Sequence, residues 1–281
     1  MAQVALGLVN GAFYAMLSLG LAVIFGMLNV INFTHGAQFM MGAFAAWLML
    51  GILDVPFWAS LILSPLIVGL FGVVIERLML KRIYHLDHLY GFLLTFGLAL
   101  IIEGLFQWKW GSGGAPYPAP IRGGTDLGFM VMPTYRLFVV VAALVVCLAT
   151  WYAIERTRLG AYLRAATENP TLVRAFGINV PRLITLTYGL GVGLAALAGV
   201  LAAPVQQVSA LMGTNLVLVV FAVVVIGGMG SIMGAIITGF ALGVIEGLTK
   251  VFFPEASNTV IFVIMAIVLL IRPAGLFGRS A

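Results

Sequence analysis

The sequence predicts an all-α protein, a polytopic transmembrane helical bundle of about 8–9 membrane segments that include broken or re-entrant helices. Of its 281 residues, 63% are hydrophobic and 8% are charged, whereas an ordinary soluble domain is about 25% charged. Several runs supply the roughly 20 apolar residues that a spanning helix needs. The runs are continuously apolar, which favours helices over the alternating strands of a transmembrane barrel.

The apolar runs follow one another along the chain with short polar stretches between them. The first run is too long for a signal peptide and no basic region precedes it, so we expect it to be retained as a helix. The seventh run is short for a crossing, which favours a half-helix or a re-entrant segment. The runs fall at about 4–29, 37–53, 56–76, 91–110, 135–154, 183–203, 215–229, 231–252 and 258–271.

The basic residues orient these segments. The loop 111–134 contains only Arg122 and Asp126 as charged residues, and we expect it to be extracytoplasmic. The side of the N-terminus depends on how 29–37 is counted and stays open. The positive-inside rule makes three basic segments cytoplasmic, including the C-terminus, and explains the net charge of +5 without nucleic-acid binding. These segments hold Arg77, Lys81, Arg82, Arg156, Arg158, Arg164, Arg174, Arg182, Arg272 and Arg279.

The chain offers little material for catalysis or for a metal site. Cys147 is the single cysteine, so neither a disulfide nor a cysteine metal site can form within one chain. His35 is the only histidine outside 77–90, and no His/Glu metal spacing accompanies it. The sequence contains no Gly-Lys pair, which a phosphate-binding loop requires. We therefore expect a protein that is not an enzyme and that uses no cofactor and no metal.

A polar segment between the first two apolar runs is the first candidate functional site. It contains Asn29, Asn32, Thr34, His35 and Gln38. Such side chains are costly in hydrocarbon unless they line a cavity or serve broken helix ends, and broken helices in transporters present such ends to the transported species. Two interpretations stay open. The segment lines a substrate route, or Asn32 or Thr34 caps the following helix while His35 is hydrogen-bonded inside the bundle.

A glycine-rich break at 226–235 is the second candidate. Its sequence, IGGMGSIMGA, interrupts two apolar runs with glycines and one hydroxyl. Glycine permits unusual dihedral angles and close approach of the backbone, so we expect a broken membrane helix here. We place Gly228, Gly230 and Ser231 on the same candidate substrate route as the first segment.

The loop 155–182 is the third candidate. Asn169 and Pro170 read as an N-cap followed by a first-turn proline, which predicts a short helix over 171–176. Gly177 is a suitable C-terminal stop, and Pro181 is expected to prevent continuation into the next membrane helix.

The apolar side chains of this short helix suggest two uses. Leu172, Val173 and Phe176 lie beside Arg174 on a helix that a simple connection would not need. The helix is a docking element for a partner protein, or it lies on the lipid surface.

Two further patterns have mainly structural interpretations. Glu103 and Glu246 lie in apolar runs near predicted helix ends, and we expect local pairing with Gln107 and Lys250 at i+4. Glycines that recur four apart form a groove for a close neighbour, within the bundle or in a second subunit. They are Gly239, Gly243 and Gly247.

Four parts of the chain together resemble the bacterial branched-chain amino-acid ABC transporter permeases of the LIV type. The order and spacing of these parts agree with that family over essentially the whole chain, although Thr34 and Thr167 stand where alanine is usual. The matching parts are 25–36 (FGMLNVINFTHG), 157–178 (with TRLG, RAATENP and GI), 226–231 (IGGMGS) and 272–278 (RPAGLFG).

The resemblance implies a permease subunit of an importer in the bacterial inner membrane, with residues 1–281 as one permease domain in the lipid bilayer. The implied partners are a second permease subunit, expected to be a paralogue, two cytoplasmic ATPase subunits that hydrolyse ATP, and a periplasmic substrate-binding protein. The implied cargo is branched-chain or other hydrophobic amino acids. Permeases for urea and short amides look much alike and remain an alternative.

The resemblance also implies that part of the 155–182 loop is the coupling helix that enters the ATPase. An ion-coupled secondary transporter is the remaining alternative, and it would need buried carboxylates or Na⁺ sites at mid-membrane. The implied coupling residues are Ala165, Ala166, Glu168, Asn169, Pro170, Leu172, Val173, Arg174, Phe176 and Gly177.

Overall fold

The computed structural model describes residues 1–28 and 32–278, and eleven α-helices make up most of that part of the chain. A short hairpin of strands β1 (Gly124–Asp126) and β2 (Val131–Pro133) lies between α4 and α5. The all-α prediction is confirmed. The helices are α1 (Ala2–Leu28), α2 (Thr34–Leu53), α3 (Phe57–Leu78), α4 (His88–Trp110), α5 (Thr134–Glu155), α6 (Arg158–Glu168), α7 (Pro170–Ala175), α8 (Val180–Ala202), α9 (Thr214–Gly227), α10 (Ile232–Phe252) and α11 (Val260–Ile271).

Seven of the helices in the described residues are long and apolar enough to cross a membrane, namely α1 to α5, α8 and α10. The apolar helices α9 and α11 are shorter, with 14 and 12 residues. At 1.5 Å per residue, α9 spans roughly 21 Å, less than the roughly 30 Å hydrocarbon core. The seventh apolar run is therefore a partial crossing, and the expectation of eight or nine membrane segments agrees with these nine helices.

The bundle has two distinct ends. We call the end that carries residues 77–87, 155–182 and 272–278 the basic face, and the end that carries the 111–133 loop the opposite face. Gln3 and Asn10 of α1 border a small pocket with Arg136, Val205 and Lys250, and Arg136 lies in the first turn of α5, just after the 111–133 loop. The N-terminus therefore lies at the opposite face of the bundle, a position that the sequence had left open.

Two helices begin inside the bundle rather than at either face. The ring of His35, in the first turn of α2, lies 2.9 Å from the carbonyl oxygen of Leu17, in the middle of α1. The start of α9 reaches the same depth, because a Cβ on Gly36 would lie 2.7 Å from the carbonyl oxygen of Gly213. The prediction of broken or re-entrant helices is thus confirmed at α2 and α9.

Helix α1 forms the centre of the bundle and packs closely against α10. A Cβ on Gly7 would lie 2.5 Å from the carbonyl oxygen of Gly243, and one on Gly239 would lie 2.6 Å from the backbone of Ala15. Such small distances are possible only when both helices present small residues. The glycines spaced four apart therefore allow close packing of helices within one chain. This was one of the two interpretations of their spacing in the sequence.

We expect the substitution Gly239→Ala to lower the free energy of unfolding by about 1–3 kcal/mol, because the added methyl group would force two helix backbones apart. The measurement is the melting temperature of the purified protein. Gly104→Ala is the matched control, since a Cβ at Gly104 meets nothing within 4 Å. Equal melting temperatures for the two variants would contradict the close contact between α1 and α10.

Candidate functional site

The polar residues at the start of α2 bond mainly to one another. Asn32 Nδ2 donates to Gln38 Oε1 at 3.1 Å, and the Thr34 hydroxyl donates to Asn32 Oδ1. Gln38 Nε2 in turn donates to the Thr34 hydroxyl at 3.1 Å, and all three side chains are buried. We call these three residues the polar network. Asn29, which the sequence placed with them, lies outside the described residues.

The start of α2 has no side-chain cap. Phe33 precedes the first turn, and its amide donates to the Thr95 hydroxyl of α4 at 3.2 Å. His35 is fully buried and packs against Gly20 of α1, where a Cβ would lie 3.0 Å from the imidazole ring. The capping interpretation of Asn32 and Thr34 therefore does not describe this helix start, whereas the expected internal hydrogen bond of His35 is present.

The glycine-rich break joins α9 to α10 at the basic face. Gly228 and Gly230 have φ angles of 99° and 83°, which other residues rarely adopt. Ser231 then caps α10, because its hydroxyl oxygen accepts from the Gly234 amide at 3.1 Å. A Cβ on Gly230 would lie 3.2 Å from Gly26 in α1. The predicted helix break is therefore real, and glycine is required at its two turning points.

A cavity of about 520 Å³ opens at the basic face and brings two of the predicted sites together. One wall consists of the glycine-rich break with Gly230 and Ser231, and another carries Arg164 and Glu168 of α6. The polar network does not border it. The lining residues are Ala22, Val23, Phe25, Gly26, Ile154, Glu155, Leu163, Arg164, Thr167, Glu168, Met229, Gly230, Ser231, Ile232, Phe277 and Gly278.

The segment 155–182 forms two helices. The second helix, α7, was predicted from the sequence and runs one residue earlier than expected. Asn169 Oδ1 accepts from the Leu172 amide at 2.9 Å, and Gly177 has a φ of 80°, so both predicted end signals operate. Pro181 lies in the first turn of α8, where proline is well tolerated, and not before the helix as expected. The first helix, α6, was not foreseen.

The apolar side chains of α7 point in two directions. Val173 is only 6% exposed and packs with Ala166 of α6 and Val180 of α8, so the chain itself already covers it. Leu172 and Phe176 are 54% and 77% exposed. The sequence had grouped all three as one face for a partner. The remaining predicted coupling residues, which are exposed, are Ala165, Glu168, Asn169, Pro170, Arg174 and Gly177.

Glu76, a buried carboxylate at the end of α3, was not predicted from the sequence. Its Oε2 accepts from the Thr185 hydroxyl at 2.7 Å, and its Oε1 accepts from the Tyr84 hydroxyl at 3.0 Å. Burial, and then the nearby charge of Glu76, raise the pKa of Tyr84. The signal available in the sequence was the spacing of Gly69, Gly72 and Glu76, which places all three on the helix side that faces α8.

The two carboxylates that the sequence did single out are both satisfied by neighbours. Glu103 Oε1 accepts from the Thr214 hydroxyl at 2.5 Å rather than from Gln107, because α9 begins beside it. Glu246 forms the expected ion pair with Lys250, and its Oε2 also accepts from the Tyr14 hydroxyl at 2.6 Å. Within the described residues, no cluster of side chains could hold a metal ion.

These features define a polytopic membrane protein with helices that break inside the bundle and a helix pair at its basic face. Residues 3–269 match the family described as the branched-chain amino acid transport system permease component, and the chain belongs to that family. The resemblance seen in the sequence is thereby confirmed.

Three relatives show how far the similarity extends. The high-affinity branched-chain amino acid transport system permease protein LivH of Salmonella typhimurium is 29% identical over 289 residues, which cover 97% of this chain and 94% of LivH. The corresponding BraD protein of Pseudomonas aeruginosa is 29% identical, with 99% and 95% covered. A probable permease of this type from Methanocaldococcus jannaschii is 27% identical, with 94% and 88% covered.

We expect Asn32→Leu to lower the free energy of unfolding, because it leaves Gln38 Oε1 without its donor and the proton of the Thr34 hydroxyl without its acceptor, at about 1–3 kcal/mol for each group. The measurement is the melting temperature of the purified protein, with uptake assayed in parallel. Asn215→Leu is the control, because the side chain of Asn215 is exposed. Lost uptake at an unchanged melting temperature would instead show that Asn32 acts directly on the substrate route.

Proposed function

We propose that this chain is the transmembrane permease subunit of an ATP-binding-cassette importer that carries branched-chain or other hydrophobic amino acids across the inner membrane. The names of the full-length relatives support the cargo. The proposed complex contains a second permease subunit, two cytoplasmic ATPases and a periplasmic binding protein. Residues 1–281 act as one permease domain that performs no covalent chemistry and needs no cofactor.

The exposed apolar side chains of α7 are the observation that carries this proposal. A helix of six residues is unstable alone, but Val173 anchors α7 to α6 and α8. This anchor leaves Leu172 and Phe176 presented to the outside at the basic face. A groove on an ATPase subunit would cover both side chains. Because α7 is held rigidly, it would then transmit any movement of the ATPase subunits to the permease.

The substrate route is proposed to run past the two broken elements. The cavity at the basic face then forms its cytoplasmic end, with the glycine-rich break between the bundle and the coupling helices. This arrangement makes the basic face and the C-terminus cytoplasmic and the N-terminus periplasmic. Asn32, Thr34, His35 and Gln38 shape the route from inside the bundle, because their side chains are buried and bonded to one another or to the backbone.

Two alternatives differ in cargo or in energy source. A permease for urea or short amides would share this fold, and it would take up labelled urea instead of labelled leucine. An ion-coupled transporter would use an intramembrane carboxylate as its ion site. Glu103 and Glu246 are engaged by Thr214, Tyr14 and Lys250, which favours a structural role for both.

The orientation can be tested by cysteine labelling in intact cells. We expect Arg158→Cys to react with a membrane-impermeant maleimide only after the membrane is opened, and Ser112→Cys to react in intact cells. Both positions are exposed, and the parent chain is a suitable control because Cys147 is buried. Labelling of Arg158→Cys from outside would invert the topology and remove the basis for ATPase docking.

We expect Phe176→Asp to insert normally but to lose leucine uptake and substrate-stimulated ATP hydrolysis together, because a charge would enter an apolar contact at a cost of several kcal/mol. The measurements are co-purification of the ATPase subunits and hydrolysis with and without loaded binding protein. Phe253→Asp is the matched control, since Phe253 is 71% exposed at the opposite face. If Phe176→Asp co-purifies and hydrolyses ATP like the parent, α7 lies on the lipid surface instead.

A further inference from the structure

Helix α8 connects the coupling segment to the interior of the bundle. Its first residue, Val180, packs with Val173 of α7 and Ala166 of α6 in one buried apolar cluster. Asn179 caps α8, with its Oδ1 accepting from the Arg182 amide at 3.1 Å. The start of α8 and the helix α7 therefore share a buried apolar contact, through which a displacement of α7 can reach α8.

Two side chains of α8 then attach it to other parts of the bundle. Thr185 donates to the buried carboxylate of Glu76 in α3 at 2.7 Å, a charge-assisted bond of the stronger kind. Tyr188 is fully buried one turn further on the same side of α8, and its hydroxyl accepts from Gln38 Nε2 at 3.4 Å. Tyr188 lies roughly 12 Å along the helix from Val180, given a rise of 1.5 Å per residue.

The hydroxyl of Tyr188 contacts the polar network, whereas its ring packs in a buried apolar cluster with Ile24 and Val192. Gln38 bonds both Asn32 and Thr34, so the tyrosine hydroxyl reaches all three residues at the broken start of α2. Glu76 belongs to the basic face, where it also accepts from Tyr84 of the 77–87 segment. Among the described residues no lysine or arginine pairs with Glu76 within 4 Å. Within the described part of the chain, its hydrogen bonds to other side chains are those from Thr185 and Tyr84.

We propose that α8 transmits movement of the coupling helix α7 to the broken start of α2. Tyr188 is the positioning residue that contacts the polar network, and Thr185 is the positioning residue that makes α3 move with α8 through its bond to Glu76. The proposal rests on the proposed function, since it assumes that a partner moves α7. It requires a continuous set of contacts, and each contact from Val173 to Gln38 is present in the fold.

Tyr188→Phe tests the far end of this connection, because it removes the hydroxyl and keeps the buried ring. We expect the complex to assemble with the parent's melting temperature and to hydrolyse ATP, while leucine imported per ATP falls about tenfold, within the usual range of coupling between sites. The assay uses the complete importer in membrane vesicles with its binding protein. Tyr135→Phe is the matched control, because its buried hydroxyl donates to Leu201 at 2.9 Å and has no part in the connection.

Thr185→Val tests the near end and keeps the proposal falsifiable if Tyr188→Phe fails to assemble. We expect Thr185→Val to reduce the same ratio and Thr185→Ser, which retains the hydroxyl, to restore it. Ratios equal to the parent's in both Tyr188→Phe and Thr185→Val would overturn the transmission by α8. If the parent complex itself shows no hydrolysis stimulated by loaded binding protein, the proposed function fails first, and the transmission with it.

Discussion

Hydrogen bonding without water is the constraint on which this structure depends. Inside hydrocarbon each unsatisfied backbone group costs several kcal/mol, so a helix can break only where the protein itself supplies partners. At the start of α2 the partner is a side chain, because the Thr95 hydroxyl oxygen accepts a hydrogen bond from the Phe33 amide. At the end of α9 they come from the C-terminal segment, where the amides of Leu276 and Phe277 donate to Ile226 and Gly227 at 2.8 and 3.1 Å.

The close contacts between glycines follow from the same constraint. When the solvent is as apolar as the side chains, helices associate through van der Waals contact and need backbones that approach closely. Gly239 against Ala15 supplies this contact between α10 and α1, and Gly36 against Gly213 supplies it between the starts of α2 and α9. Glycine in this chain therefore makes both the breaks and the packing that encloses them.

The sequence predicted what depends on local composition. The apolar runs gave the helices, the basic residues gave one face, and Asn169 and Gly177 marked both ends of α7 because capping requires only neighbouring residues. The sequence did not predict which polar residues would meet. Glu76 resembled an ordinary charge at a helix end, and its burial depends on Thr185, 109 positions away. The exposed and buried sides of α7 were likewise unpredictable, since Val173 is covered by Val180 of another helix.

The same constraint limits how this bundle can change shape. Melting a turn of α2 or α9 would strand polar groups in hydrocarbon, so a change between two states must keep most hydrogen bonds and move whole helices. The dihedral changes must then fall where the backbone is free to make them. Gly228 and Gly230 already have positive φ angles, and Gly230 lines the cavity. Glycine crosses between regions of φ at little cost. The part of α8 from Val180 to Tyr188 contains no glycine, so it has no such joint and moves as a rigid element. A flexible joint at one wall of the cavity and a rigid rod from the coupling helix are the two parts that a mechanically driven opening needs.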